Sequence, residues 1–215
     1  MSTQTSIEWT EQTWNPTTGC TKVSPGCQHC YAGTMARRLK AMGVKGYEKG
    51  FKLTLQPHRL HEPLRRGKPT IYFVNSMSDL FHEEIQDTYI QQVFDVMKNA
   101  YQHTFQVLTK RVDRMVTYCK SYEVPQNVWL GVTVENKGHG LSRITKLRKT
   151  KARIRFLSME PLIEDLGKLD LTGIQWAIVG GESGPKARRM KTEWVIRIKR
   201  QCEEQKVSFF LGAGQ

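Results

Sequence analysis

Short apolar runs alternate with helical patterns along most of this chain, and few folds accept that order. Thr70–Val74 (TIYFV) is rich in β-branched and aromatic residues, which predicts a strand. Phe105–Leu108 (FQVL), Val128–Val134 (VWLGVTV), Ile154–Leu157 (IRFL), Trp176–Val179 (WAIV) and Val207–Leu211 are predicted to be strands for the same reason. Between them, Asp87–Tyr101 carries Ile90, Val93, Phe94 and Met97 at helical spacing. Val112–Cys119, Leu141–Leu147 and Glu193–Glu203 read as helices too, and Pro125 breaks the chain ahead of its strand. Upstream the pattern is less regular. Trp14–Thr18 is a candidate first strand, and Ala32–Met42 a helix with Met35, Leu39 and Met42 turned inward. Strand followed by helix followed by strand implies right-handed crossovers and a parallel sheet. About six βα units fit a doubly wound sheet or an incomplete (βα) barrel. No repeat, low-complexity tract or linker divides the sequence, so residues 1–215 are expected to form a single domain.

In either architecture the chemistry gathers beyond the C-terminal ends of the strands. Those ends are Asn75-Ser76-Met77-Ser78-Asp79, Thr109-Lys110-Arg111, Glu135-Asn136, Ser158-Met159-Glu160-Pro161 and Gly180-Gly181-Glu182-Ser183-Gly184. Five apolar strands that each end in small, polar or charged groups point to one polar site at the mouth of the sheet.

The cysteine-bearing loop over residues 18–31 belongs to the same mouth. Cys20, Cys27 and Cys30 follow the candidate first strand and precede the first helix with spacing C-x6-C-x2-C. Pro25 and Gly26 supply a turn that folds the thiols together. Cys119 and Cys202 fall in helical patterns and read as small buried hydrophobes. Three clustered cysteines allow four readings. One is a zinc knuckle completed by His29, His58 or His61. A second is a zinc deaminase, built on Pro25–Cys30 and the H-x-E of His82 and Glu84. A third is an iron–sulfur cluster with one iron left open. The last is three free thiols.

The residues together resemble a known superfamily. Three cysteines on the loop after the first strand, an incomplete barrel and polar strand ends are similar to the radical S-adenosylmethionine (SAM) enzymes. The segments GCTKVSPGCQHCYA, FVNSMSDLFHE, FQVLTKR, GVTVEN, FLSMEPL and VGGESGP look like a family of phage and bacterial proteins of unassigned function. The resemblance implies an α/β fold, an incomplete (βα)6-type TIM-like barrel with parallel strands. It also implies a [4Fe–4S] cluster on Cys20, Cys27 and Cys30, with SAM bound at the open iron. Reductive cleavage of SAM would give a 5′-deoxyadenosyl radical that takes hydrogen from a substrate. An external electron donor such as flavodoxin or ferredoxin is implied, and a partner protein that completes the site is possible.

The departures shape the expected site. The superfamily's usual first gap is three residues; here it is six. His29 stands where an aromatic residue near the adenine is usual, and Tyr31 comes one place after the third cysteine. A Gly-Gly-Glu that would hold the SAM amino group usually ends the second strand, whereas Gly180-Gly181-Glu182 ends the sixth. The amino-group contact is therefore assigned to Ser76, Ser78 or Asp79. Lys110 and Arg111 are expected to hold the SAM carboxylate or a phosphate. Glu135 and Asn136 would meet the ribose or the carboxylate, and Glu160 SAM or substrate. Gly180 and Gly181 would allow close backbone approach, with Glu182 beside them. Trp9 and Trp14 are expected to pack the end of the barrel. The final Leu-Gly-Ala-Gly-Gln departs from the aromatic, basic ending the family implies, which suggests a truncated or replaced last strand.

Charge bears on partners rather than on fold. The chain carries 33 Lys and Arg against 20 Asp and Glu, a formal net charge of +13. The segment 37–68 holds ten Lys or Arg against Glu48 and Glu62. Arg143–Arg155 holds seven and no acid, and Lys186–Arg200 seven against Glu193. A polyanion partner such as nucleic acid follows, with Arg37, Arg38, Arg65, Arg66, Arg111, Arg188 and Arg189 as candidate contacts. The competing readings are a zinc-stapled nucleic-acid-binding protein without catalysis and a zinc-dependent hydrolase. No apolar run suits a membrane span, the polar N-terminus lacks a signal-peptide layout, and five cysteines argue against a disulfide framework. A cytoplasmic enzyme with available thiols is the expectation.

Overall fold

The computed structural model describes residues 5–184 and 186–212. One sheet dominates it. Strands β1 (Gln12–Trp14), β4 (Ile71–Val74), β5 (Thr104–Thr109), β6 (Val128–Thr133), β7 (Arg155–Met159), β8 (Trp176–Val179) and β9 (Ser208–Leu211) lie side by side in that order. Every neighbouring pair is parallel, so this is the expected α/β fold, a curled, incomplete TIM-like barrel. The remaining strands, β2 (Thr17–Thr18) and β3 (Thr54–Leu55), form a small antiparallel pair. The expected first strand, Trp14–Thr18, is thus split between two sheets. Pro16 is the reason: it has no N–H to give a ladder, and the chain turns there.

Helices α1 (Tyr31–Ala41), α2 (Asp87–Asn99), α3 (Val112–Ser121), α4 (Ser142–Leu147) and α5 (Thr192–Glu204) supply the crossovers. Helix α2 buries Ile90, Val93, Phe94 and Met97 on one face, with Asp87 in its first turn and Lys98 in its last, the signs that suit the helix dipole. Helix α1 turns differently from expectation. Met35 and Met42 are exposed, Leu39 is half-buried, and the inward face is Ala32 and Ala36. Small side chains there let α1 lie close against Tyr47 and Met77, with Phe51 beside Gly33.

The strands alternate as the pleat requires. Tyr72, Val74, Phe105, Val107, Leu130, Val132, Leu157 and Ala177 join the core beneath the helices. The other face of the sheet lines the lumen. There Trp9 packs on Phe73 at 4.7 Å and on Trp176 at 6.0 Å, and Trp176 meets Trp129 and Phe156. Most of these residues sit early in their strands, so the aromatic cluster fills the N-terminal end of the half-barrel and leaves the C-terminal mouth for polar groups. Trp14 is fully buried and donates its indole N–H to Arg59 O at 2.9 Å. Both tryptophans therefore pack, as expected. Strand β9 pairs with β8 over four residues; Ala213–Gln215, part of the divergent ending, lie outside the described residues.

Candidate active site

The cysteine loop is tied to the sheet by short polar side chains. Asn15, just beyond β1, exchanges hydrogen bonds with the Ser76 hydroxyl and accepts from Met77 N at 2.9 Å. The Ser78 hydroxyl bonds the Thr17 side chain and donates to Thr17 O, both at 2.8 Å. Gly19 donates to Met77 O at 3.0 Å and Cys20 donates to Phe51 O at 3.2 Å. These bonds fix the start of the loop before any ligand is present. Ser76 and Ser78, expected near the SAM amino group, spend their hydroxyls on this stitching.

Cys20 faces the end of β5. Arg111 donates to its sulfur at 3.4 Å and to Asp79 at 3.3 Å, and binds Glu83 through Nε at 2.7 Å. Burial pushes the Cys20 thiol up to about 11; Asp79 adds to this and Arg111 opposes it. The hydrogen bond from Arg111 holds Glu83 down at about 2. Asp79 accepts from Thr109 Oγ1, Phe81 N, Lys110 N and Arg111, so both its oxygens are committed to protein donors.

Cys27 faces the ends of β5 and β6. Gly26 lets the loop lie directly on Glu135: a Cβ there would stand 3.0 Å from Glu135 Cγ. Burial alone would raise the Cys27 thiol, but the Lys110 ammonium and hydrogen bonds at Val23 and Ser24 outweigh it and leave it below its ordinary value. Lys110 itself donates to Thr133 Oγ1 at 3.3 Å. Glu135 is buried, which works against ionisation, yet Arg143 at 2.5 Å holds its carboxyl below the ordinary range. Asn136 caps the helical turn that follows by accepting from His139 N at 3.0 Å. Beside Cys30, Tyr31 donates its hydroxyl to Ser76 O at 2.5 Å, and burial of that hydroxyl pushes its pKa up.

The strand end after β7 brings Glu160 to the mouth. Its carboxyl stands 2.9 Å from where a Cβ on Gly180 would lie, a close approach that glycine permits. Burial raises its pKa, while a hydrogen bond from the Trp9 side chain and the nearby Lys110 charge pull the other way. Of the charged groups at the mouth, Asp79, Arg111, Glu135 and Glu182 all have ion-pair partners, and among the described residues no such pair within 4.0 Å involves Lys110 or Glu160. Glu182 pairs with Arg188, which also donates to Pro25 O at 3.0 Å and so ties the loop after β8 to the cysteine loop. The hydrogen bond from Arg188 holds the Glu182 carboxyl below its ordinary range, with a smaller contribution from the nearby His29 ring. Gly181 lies half-buried between Gly180 and Glu182.

The basic stretches divide. Arg37, Arg38, Arg65 and Arg189 are exposed, and Arg66 donates to Thr70 Oγ1 at 2.8 Å. The run Arg143–Arg155 is only partly spent inside the protein: Arg143 is buried on Glu135 and Arg155 binds backbone carbonyls, Lys146 and Arg148 form surface pairs with Asp113 and Asp170, and Lys149, Lys151 and Arg153 are exposed. Sequence reasoning missed the ion pair of Arg143 with Glu135. The available signal was an arginine eight residues, about two helical turns, beyond a strand-end carboxylate, with Ile144 and Leu147 marking that helix face as buried.

Among the described residues, no three His, Cys, Asp or Glu side chains converge closely enough to hold a metal ion. His58 and His61 are exposed. His82, half of the deaminase-like H-x-E, has both ring nitrogens engaged, with Thr21 Oγ1 at 2.9 Å and Glu84 N at 3.2 Å. It is completely buried, and burial, reinforced by Arg111, lowers its pKa. The native state therefore resists a proton that the unfolded chain accepts. Stability should fall as pH drops below the unfolded value of about 6.5. A plot of Tm against pH from about 7.5 to 5.5 should be steeper for the native chain than for His82→Gln. Equal slopes would show that His82 is not the titrating group.

Comparison with solved structures places the fold. Spore photoproduct lyase matches with a TM-score of 0.59 at 10% identity, over 98% of this chain and 78% of that one. The same enzyme with bound AdoMet and dinucleoside spore photoproduct matches at 0.50 and 11% identity, over 95% and 64%. A radical SAM methyltransferase from Sphaerobacter thermophilus matches at 0.50 and 14% identity, over 94% and 66%. At these identities the likeness is one of fold. No curated protein matches the sequence. Among the described residues, no helix is long and apolar enough to cross a membrane. A family model described as protein of unknown function (DUF5131) matches residues 4–214, nearly the whole chain, and the protein belongs to that family.

Proposed function

We propose that this protein is a radical SAM enzyme acting on nucleic acid or a nucleotide, with Cys20, Cys27 and Cys30 as the ligands of a [4Fe–4S] cluster. The observation that carries the reading is the position of the cysteine loop. It lies at the C-terminal mouth of a parallel half-barrel, with a guanidinium on Cys20 and an ammonium facing Cys27. Each cation favours the thiolate, the form that binds iron; at Cys27 this outweighs burial, while at Cys20 burial and Asp79 outweigh Arg111. A four-iron cluster takes one thiolate per iron, so its ligands stand apart instead of converging as they do on one ion. When bound, the cluster and SAM supply a carbon radical able to remove hydrogen from a substrate.

The chain's own residues do the rest. Asn15, Thr17, Ser76 and Ser78 hold the loop at the mouth. Lys110, facing Cys27, suits the SAM carboxylate, and Glu160 suits an amino group of SAM or substrate. Gly180 leaves the room that the Glu160 carboxyl itself occupies. The aromatic side chains of the lumen make the floor beneath the mouth apolar. Exposed Arg37 and Arg38 on α1 and Arg189 after β8 supply cations suited to a phosphate backbone, whereas Arg65 adjoins Pro63, whose carbonyl meets His103 at the N-terminal ends of the strands. The dinucleoside bound to spore photoproduct lyase supports a substrate of this class. Electrons would come from an external carrier of the flavodoxin or ferredoxin kind.

The test is metal and sulfide analysis after anaerobic reconstitution, with native protein beside Cys27→Ala. About four iron and four sulfide per chain are expected, lost in the variant, with 5′-deoxyadenosine formed from SAM only by the native protein. Stoichiometric zinc without sulfide would overturn the reading.

A further inference from the structure

The six-residue gap between Cys20 and Cys27 raises a positioning problem. A longer loop leaves its end less constrained by the chain itself. Here the constraint on Cys20 comes from across the sheet. A guanidinium offers five N–H donors in a fixed fork. All five positions on Arg111 are taken: Nε by Glu83 Oε2, Nη1 by Cys20 Sγ and Asp79 Oδ2, and Nη2 by Thr21 O at 3.1 Å and Thr21 Oγ1 at 2.8 Å. Three of these bonds grip Cys20 and its neighbour Thr21. The two carboxylates hold the fork in place, and the Arg111 N–H donates to Thr109 Oγ1, which itself donates to Asp79. The side chain is 9% exposed, and no donor is left for a phosphate or for SAM.

We propose that Arg111 is the positioning residue of the first cysteine, holding Cys20 across the long gap and setting how readily the cluster accepts an electron. The inference rests on the cluster reading. A cationic N–H on a ligand sulfur withdraws charge from it, which favours the added electron and raises the reduction potential. Loss of the guanidinium must then lower it.

The experiment is a dye-mediated redox titration of the reconstituted protein, followed by electron paramagnetic resonance, with iron counted in parallel. Arg111→Met should make one-electron reduction about tenfold less favourable, a fall of about 59 mV, and should bind less iron. Arg111→Lys keeps the charge but not the fork. It should recover part of the potential without recovering the native spectrum or iron content. Native potential, spectrum and iron in both variants would overturn the proposal. So would iron loss with an unchanged potential in the remaining clusters, the result of a merely structural role. Should the Arg111 variants misfold, and with His82→Gln as the control for the bond that Thr21 Oγ1 also makes to His82, Thr21→Val removes one acceptor of the fork on the exposed side without changing a charge. It should release iron to a chelator faster than the native protein, and an unchanged rate would overturn the proposal. Absence of iron and sulfide in the native protein would instead show that the cluster reading itself has failed.

Discussion

Arg143→Met will cost about 3–5 kcal/mol of folding stability at pH 8, although it removes only one charge. The Glu135 side chain is fully buried and that of Arg143 is 7% exposed. Arg143 holds one carboxylate oxygen at 2.5 Å and the Thr133 carbonyl at 2.8 Å. The other oxygen, Oε1, accepts no hydrogen bond, although the Ser24 hydroxyl is close enough to favour ionisation. Without the guanidinium, a buried carboxylate stands uncompensated and must take up a proton or water. The sign of the pH effect follows. In the native protein the Glu135 pKa is depressed, so its contribution is present above the unfolded value of about 4.3 and is lost as pH falls. In the variant that pKa is raised, so stability is lost as pH climbs past the same value. The deficit should therefore be larger at pH 8 than at pH 4. Arg143→Met with Glu135→Gln should recover part of it, because no buried charge remains. Urea unfolding of the three proteins is the measurement. A deficit under about 1 kcal/mol at pH 8 would mean that water already reaches the pair.

Gly19→Ala is expected to be as damaging, by a different route. Gly19 has φ +81°, and a Cβ there would stand 2.2 Å from the Lys52 carbonyl oxygen. Backbone cannot rotate away as a side-chain tip can. The left-handed conformation and the overlap each cost of order 1–3 kcal/mol, so about 3 kcal/mol or more should be lost together. Gly43→Ala is the matched control, with φ +66° and nothing within 4 Å of the added carbon. It should lose only the conformational part, about 1 kcal/mol. Because Gly19 and Cys20 bond Met77 O and Phe51 O, Gly19→Ala should also speed hydrogen exchange in the cysteine loop. Equal unfolding midpoints for the two variants would show that the Lys52 segment yields easily.

The sheet was legible because its signals are local. β-branched and aromatic runs such as Thr70–Val74 can satisfy their backbone only in a ladder, and the helical spacing of Ile90, Val93, Phe94 and Met97 buries one stripe. The polar strand ends were legible for the same reason: a residue past the last ladder bond leaves the core. What could not be read was which strand-end charge meets which. Arg111 looks like a free cation in sequence, yet its partners lie 28 to 91 residues away. Arg143 opens a run that reads as a basic patch, and it is buried on Glu135. The inward face of α1 was misjudged because large apolar residues were preferred over Ala32 and Ala36, whose small size is what close packing there requires. Lys110 and Glu160 were identifiable as mouth residues, but that neither forms an ion pair among the described residues is a property of three dimensions.

The bracing of the cysteine loop also has a direction in time. A ribosome releases the loop early and its supports late: Ser76 and Ser78 about sixty residues on, Arg111 after ninety, and Arg188, which reaches Pro25, after 163. Through most of synthesis the three thiols travel on an unanchored segment, open to oxidants and to stray metal ions. The last of these supports is made only after translation has passed the eighth strand. The loop's full bracing is thus a late product of synthesis, and until then its thiols lack the neighbours that hold them in the finished fold.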